Sequence, residues 1–195
     1  MPLGQHALTT VAAVRQALVG RDTIPPDHDA LLESLINSIS EAIEQYCSRH
    51  FERRSYTELL PGSGSVLLLL RHYPVVSVAQ VLIHDQAVTD WQLEPSPEWP
   101  GYYRGVLWRA AGWPVPPGGI PNVRVDYQAG WVLPKDPGRD LPADLEQAAI
   151  DLVVAAYRLR DKLGLRSESY EGYSLQVDWW PLHVRQILDR YRRVA

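Results

Sequence analysis

LLESLINSISEAIEQYCSRHF, residues 31 to 51, carries Leu32, Leu35, Ile36, Ile39, Ala42, Ile43, Tyr46 and Cys47 at steps of three and four. That spacing stacks them along one stripe of a 3.6-residue helix. Glu33, Ser34, Asn37, Ser40, Glu41, Glu44 and Gln45 occupy the other face, where water satisfies them. A long helix buried along its apolar stripe is therefore predicted. Asp27 or Asp29, just upstream, can accept hydrogen bonds from its first free amides.

Toward the N-terminus, Thr9 or Thr10 can cap a short helix with Val11, Val14 and Leu18 on one side and Gly20 as its stop. Toward the C-terminus the rhythm changes after Phe51. Residues 55–60 read as extended, Pro61-Gly62-Ser63-Gly64-Ser65 as a turn, and Val66 to Leu70 as a second apolar run, together predicting a hairpin. Further short strands are predicted at 75–83, 88–93, 104–109 and 123–127. Residues 94–101 and 112–121 hold seven of the sixteen prolines and read as irregular loops. Leu145, Ala148, Ala149, Leu152, Val153, Ala156, Tyr157 and Leu163 then return to helical spacing, with Gly164 as a stop. The stretch 166–180 is polar and aromatic without helical period. Pro181 can open a terminal helix with Val184, Ile187, Leu188 and Tyr191 on one side.

The fold class expected is α+β and mainly helical: two long amphipathic helices, shorter terminal helices and a small antiparallel β insertion. One main domain is expected over residues 1–165, with the insertion at about 52–131, followed by a C-terminal arm and short basic helix over 166–195. A chain of 195 residues suits one such domain. Its formal net charge of -4 gives no basis for a general nucleic-acid binder, which needs a cationic surface to release counterions. The longest apolar run is far below the roughly 20 residues that span a bilayer, so no membrane partner is expected. Cys47 is the only cysteine, which rules out an intrachain disulfide and fits synthesis in a reducing cytoplasm. Seven Trp and ten Tyr stand against one Phe, an inventory favoured at interfaces as well as in cores.

The order of the blocks resembles the head-tail connector (adaptor) family of tailed bacteriophages and phage-like particles. The resemblance is carried by LLESLINSISEAIEQYCSRHF (31–51), YPVVSVAQVLI (73–83), VRVDYQAGW (123–131), LPADLEQAAIDLVVAAYRLRDKLG (141–164) and SESYEGYSLQ (167–176). It implies a helical adaptor fold with a β insertion after the second helix, assembled as a homo-oligomeric ring that is typically a dodecamer. It also implies partners: a portal protein on one surface, a tail or stopper protein on another, and DNA passing through the lumen. The expected location is the head-tail connector region of the virion. The family offers no catalytic residues to carry over. This chain departs from shorter members in its Pro/Trp-rich loops at 94–121 and its basic end after Trp180.

Independently, the residues show no reaction centre. His6, His28, His50, His72, His84 and His183 are scattered, and no pair has the spacing that puts two imidazoles on one helical turn. Cys47 sits on an apolar stripe and reads as a small buried hydrophobe rather than a nucleophile. The Gly62–Ser65 turn lacks the Lys-Ser/Thr and helix of a phosphate-binding loop, and no Gly-x-Ser-x-Gly elbow is present. Neither a cofactor nor a metal is expected. Two other classes stay open: a hydrolase or transferase with His84, Asp85 or Asp90 converging in a cleft, and a binding module gripping a ligand through exposed Trp and Tyr loops.

Candidate partner-interface residues are Tyr170, Tyr173, Trp179 and Trp180, with Arg185, Arg190, Arg192 and Arg193 making the last fifteen residues locally basic. Trp99, Tyr102, Tyr103, Trp108, Trp113 and Trp131 divide between local core and interface. Removal of residues 179–195 is expected to leave the core folded and weaken partner attachment.

Overall fold

A computed structural model of the chain describes residues 2–19, 24–160 and 180–193, and the backbone of 167–170 and 173–176. The chain divides into two compact units, Glu52–Trp131 and the flanking Met1–Phe51 with Val132–Ala195.

The flanking unit is helical. Helix α1 (Val11–Leu18) is capped by Thr10, whose hydroxyl accepts the amide of Ala13 at 3.2 Å. Helix α2 (Asp29–Cys47) follows a 3₁₀ turn at Pro26–His28 and has no side-chain N-cap bond. Asp29 instead pairs with Arg15 at 2.7 Å, and the same guanidinium donates to the Pro25 carbonyl at 3.1 Å. At the other end Ser48 adopts a left-handed conformation (φ 53°) and turns the chain. The buried carboxylate of Glu44 then accepts the Phe51 amide at 2.9 Å and meets His50 Nδ1 at 2.8 Å, which fixes the exit from the helix.

The stripe predicted on α2 is buried at Leu32, Ile36, Ile43 and Cys47, together with Ser40, whose hydroxyl accepts the Leu8 amide at 3.0 Å. Pairing that buried hydroxyl removes the cost of its desolvation. In Glu52–Trp131, strands β1 (Arg54–Leu60), β2 (Leu67–Leu69), β3 (Val75–Ile83), β4 (Gln86–Ala87), β5 (Gln92–Pro95), β6 (Tyr103–Trp108) and β7 (Val123–Ala129) build a seven-stranded sheet. Its path is β1-β7-β3-β6-β2, with β4 on β3 and β5 on β6, and every pairing is antiparallel. Helix α3 (Ala143–Leu159), strands β8 (Ser167–Tyr170) and β9 (Tyr173–Gln176) and helix α4 (Leu182–Tyr191) complete the flanking unit. Helix α2 packs against α1, α3 and α4, and the alanines at 148, 149 and 156 let α3 approach its neighbours closely.

Two expectations are corrected. The fold is not a mainly helical adaptor with a small β insertion: the β part is a seven-stranded sheet with its own core, which includes Leu60, Leu68, Leu70, Val75, Leu107, Trp113, Val123, Val125 and Tyr127. Several strands are short and proline-containing loops separate them, so their sequence signal understates the sheet they build together. Nor do residues 55–60 and 66–70 pair as a hairpin. They are β1 and β2, at opposite ends of the sheet path, held by β7 and β6 respectively. The predicted stops Gly20 and Gly164 lie outside the described residues.

Candidate interaction site

Helix α4 is amphipathic, with Val184, Leu188 and Tyr191 buried and its basic residues outward. The apolar side docks on α2 and α3, and the contacts at its rim are polar and aromatic. The Cys47 thiol reaches the Leu188 carbonyl at 3.6 Å, and the Arg193 amide donates to the Cys47 carbonyl at 2.9 Å. Burial pushes that thiol up to about 12, so Cys47 is held as a neutral hydrophobe, as its place on the stripe predicts. The Tyr191 hydroxyl donates to Asp144 Oδ1 at 2.6 Å, and burial followed by this bond raises its pKa.

Of the interface candidates read from the sequence, Trp180, Arg185, Arg190, Arg192 and Arg193 fall on this helix or at its ends. Trp180 is half-buried and stacks on Tyr46, with ring centroids 5.2 Å apart. The Tyr46 hydroxyl donates to Asp189 at 2.7 Å, which raises its pKa, and the guanidinium of Arg192 lies 5.7 Å from the same ring. Arg185 is exposed and donates to the Trp180 carbonyl at 2.6 Å. Arg190 pairs with Asp144 at 2.9 Å. Tyr170 and Tyr173 face each other in register at the turn of the β8–β9 hairpin; their side chains, and Trp179, lie outside the described residues. The structure thus brings Trp180, Arg185, Arg190 and Arg192 together along one helix. Their contacts go to Tyr46, Asp144 and a backbone carbonyl of this chain, and Tyr46 in turn holds Asp189. Those acidic and aromatic partners were missed in the sequence because they depend on how α4 docks; only Asp189, four residues from Arg185 on the same helix, carried a local signal.

The loop aromatics divide. Trp113 and Trp131 are fully buried, and Trp99 meets Trp131 edge to face at 5.4 Å. The Tyr102 hydroxyl accepts from Arg53 at 2.8 Å, and Tyr103 packs on the sheet core. Trp108 is 42% exposed.

His84 and Asp85, both in left-handed conformations, make the turn from β3 to β4. They line an open concavity of about 430 Å³ with Leu59, Leu82, Pro116, Ile120 and Arg124. Asp90 is not among its lining residues and pairs with Arg109 at 2.9 Å, so the three residues weighed for hydrolysis do not converge. Among the described residues no group of three or more His, Cys, Asp or Glu side chains could hold a metal ion, and no helix is long and apolar enough to cross a membrane.

No curated protein matches this sequence. Among solved structures, a chain from the neck of an empty GTA particle, computed with C6 symmetry, is 24% identical with a TM-score of 0.61, over 100% of this chain and 94% of that one. A chain from the neck of a native GTA particle, computed with C12 symmetry, is 23% identical with a TM-score of 0.57, over 100% and 93%. A chain from the virion of a native gene transfer agent particle is 23% identical with a TM-score of 0.58, over 98% and 92%. These likenesses establish a shared fold along nearly the whole length of each chain. The profile of head completion proteins matches residues 7–194, and the chain belongs to that family.

Proposed function

We propose that the chain is a structural head-tail connector subunit of a phage or phage-like particle, acting without catalysis as one copy in a ring beneath the portal. The observation that carries this reading is the match to head completion proteins over residues 7–194. The particle necks whose chains share its fold were computed with C6 and C12 symmetry, which supports a closed ring of twelve copies. A ring of this kind needs two dissimilar contact faces per subunit, since head-to-tail contacts close only when each copy offers one face to each neighbour. In this reading the portal protein binds one side of the ring, a tail or stopper protein binds the other, and DNA passes through the lumen. The exposed arginines of α4 and the hairpin carrying Tyr170 and Tyr173 form the portal-facing surface.

Negative-stain microscopy and native mass spectrometry of the full chain, with and without portal protein, test this. Rings seated on portal are the expected result. A chain that stays monomeric and never joins portal overturns the reading.

A further inference from the structure

The run Val66 to Leu70 is apolar at both parities, which is the pattern of a strand covered on both faces. In the sheet only one of those faces is covered. Leu68 and Leu70 enter the core, whereas Leu67 and Leu69 point the other way and are 45% and 67% exposed. Leu67 stands opposite Trp108, and Leu69 opposite Val106, in the β2–β6 ladder. Directly opposed residues project from the same face, so these four form one apolar strip along the end of the sheet path.

A second apolar surface lies toward the other end of that path. The outward residues of β1, β3 and β7 at one register level are Leu59, Leu82 and Arg124. With Pro116, Pro117 and Ile120, and alongside the polar His84, Asp85 and Asn122, they line the mainly apolar concavity of about 430 Å³. Leu59 and Ile120, at 59% and 71% exposed, are bare to solvent in the single chain.

We infer that these two surfaces are the two halves of one subunit contact: the Leu67–Leu69–Trp108 strip of one copy seats in the Leu59–Leu82–Ile120 concavity of the next. The occupant is a second copy of this chain. An apolar knob and an apolar hollow at different places on one molecule make a head-to-tail contact, and such a contact propagates until it closes into a ring. A two-fold dimer would require one surface that matches itself. The edge position of β2 adds to the case, because edge strands with outward leucines are normally covered or blunted with charge. The inference rests on the ring proposed above and assigns its subunit contact to the sheet unit.

The test uses the full-length chain with portal protein, and the variants Leu69→Asp and Ile120→Asp. Both positions are exposed, so each variant should keep the parent's circular dichroism spectrum and cooperative unfolding. Either one alone should cut the ring population at least about tenfold, because a hydrated carboxylate must be stripped of water to enter a closed, mainly apolar contact. An equimolar mixture should yield mixed dimers in native mass spectrometry and no closed ring, because each such pair has one sound contact and two spoiled ends. Rings of parental abundance from either variant, or a mixture that pairs no better than its components, overturn the inference while leaving the ring reading intact. Failure of the parent chain itself to form rings on portal brings down the ring reading and the inference with it, and is seen before any variant is made.

Discussion

Trp180 lies on Tyr46 with ring planes 24° from parallel, so the residue that leads into α4 is clamped to the last turn of α2. Stacking of this kind contributes about 1 kcal/mol beyond the apolar area it covers. Trp180→Ala is expected to lower unfolding free energy by about 1–2 kcal/mol in urea titrations, since the ring is only half-buried. The same substitution should weaken portal attachment if the aromatic end of the arm also serves the partner.

Helix α4 is part of the core of its unit, and its buried Leu188 covers the only thiol. Deletion of residues 179–195 therefore removes core side chains and should destabilise the helical unit, contrary to what the sequence suggests. Leu188→Ala alone should cost about 2–4 kcal/mol. Cys47 labelling by a thiol reagent reports the undocking: slow in the parent at pH 8, and faster in the variant by a factor that follows its loss of stability. The thiol is raised from 9.0 to about 12 in the folded chain, so its contribution to stability is complete below pH 9 and declines as pH rises toward 12.

What could be read in advance follows the range of the interactions. The apolar stripe of α2, a threonine cap at Thr9 or Thr10, and the buried Val184 and Leu188 of α4 express local periodicity and capping and are legible in the sequence. The burial of Ser40 and Glu44, read as facing water, depends instead on partners elsewhere in the chain, the Leu8 amide and the Phe51 amide. Strand pairing is not local. Leu60 meets Val123, more than sixty residues away, and nothing in either segment names the other. The turn at Pro61–Ser65 accordingly looked like a hairpin although its flanking strands pair elsewhere. At the candidate site the arginines were visible as a basic tail, but Tyr46 and Asp144 enter it only through helix docking. The exposed half of the Val66–Leu70 run did carry a signal: its apolar odd positions, Leu67 and Leu69, had no evident need to be apolar on a one-sided sheet.

Beneath the sheet, Tyr127 donates its hydroxyl hydrogen to the buried carboxylate of Glu58, which also accepts the Arg71 amide at 3.2 Å. Tyr127→Phe removes the donor and leaves that carboxylate short of a partner, at an expected cost of about 1–3 kcal/mol. Burial, and then the bond to Glu58, push the Tyr127 hydroxyl well above its ordinary 10.0. Because the folded state holds this proton more tightly, the stabilisation is complete below pH 10 and is lost as pH rises beyond it. The parent should therefore show a steeper fall in stability above pH 10 than Tyr127→Phe. Equal losses of unfolding free energy between pH 9 and pH 11 in parent and variant would refute the assignment.

The exposed arginines of α4 are expected to act on partner attachment more than on folding. Arg185→Ala combined with Arg192→Ala should shift stability by less than about 1 kcal/mol, the usual limit for exposed charge contacts. Binding to portal should weaken roughly tenfold at low ionic strength and differ little from the parent at high salt, as screening predicts for rim charges. Surface plasmon resonance across a salt series measures this. A loss of binding that does not depend on salt would place the effect in packing against Tyr46 instead.

The connection between β1 and β2 is fixed by a close approach at Gly62. A Cβ placed there would run into the carbonyl oxygen of Pro114, and it would also meet the carbonyl carbon of Trp113 at 2.9 Å. Both obstacles are backbone, so no rotamer change relieves them. The neighbouring bonds hold the loop in place: the Gly62 amide donates to Asn122 Oδ1 at 2.9 Å, and Asn122 in turn donates to the Pro114 carbonyl at 2.7 Å. Gly62→Ala must therefore push the 112–116 loop away or break the Asn122 bridge, and Trp113, fully buried in the sheet core, sits in that loop. Overpacking against a fixed backbone costs about 1–3 kcal/mol. Gly101→Ala is the control, since nothing lies near its Cβ position and only its positive φ of 85° opposes the change. Urea unfolding should rank Gly62→Ala as the more damaging variant, with a red shift in tryptophan emission as Trp113 loses its cover. A Gly62→Ala protein as stable as the parent would mean that the 112–116 loop yields freely, and that the turn is not what ties β1 to β2.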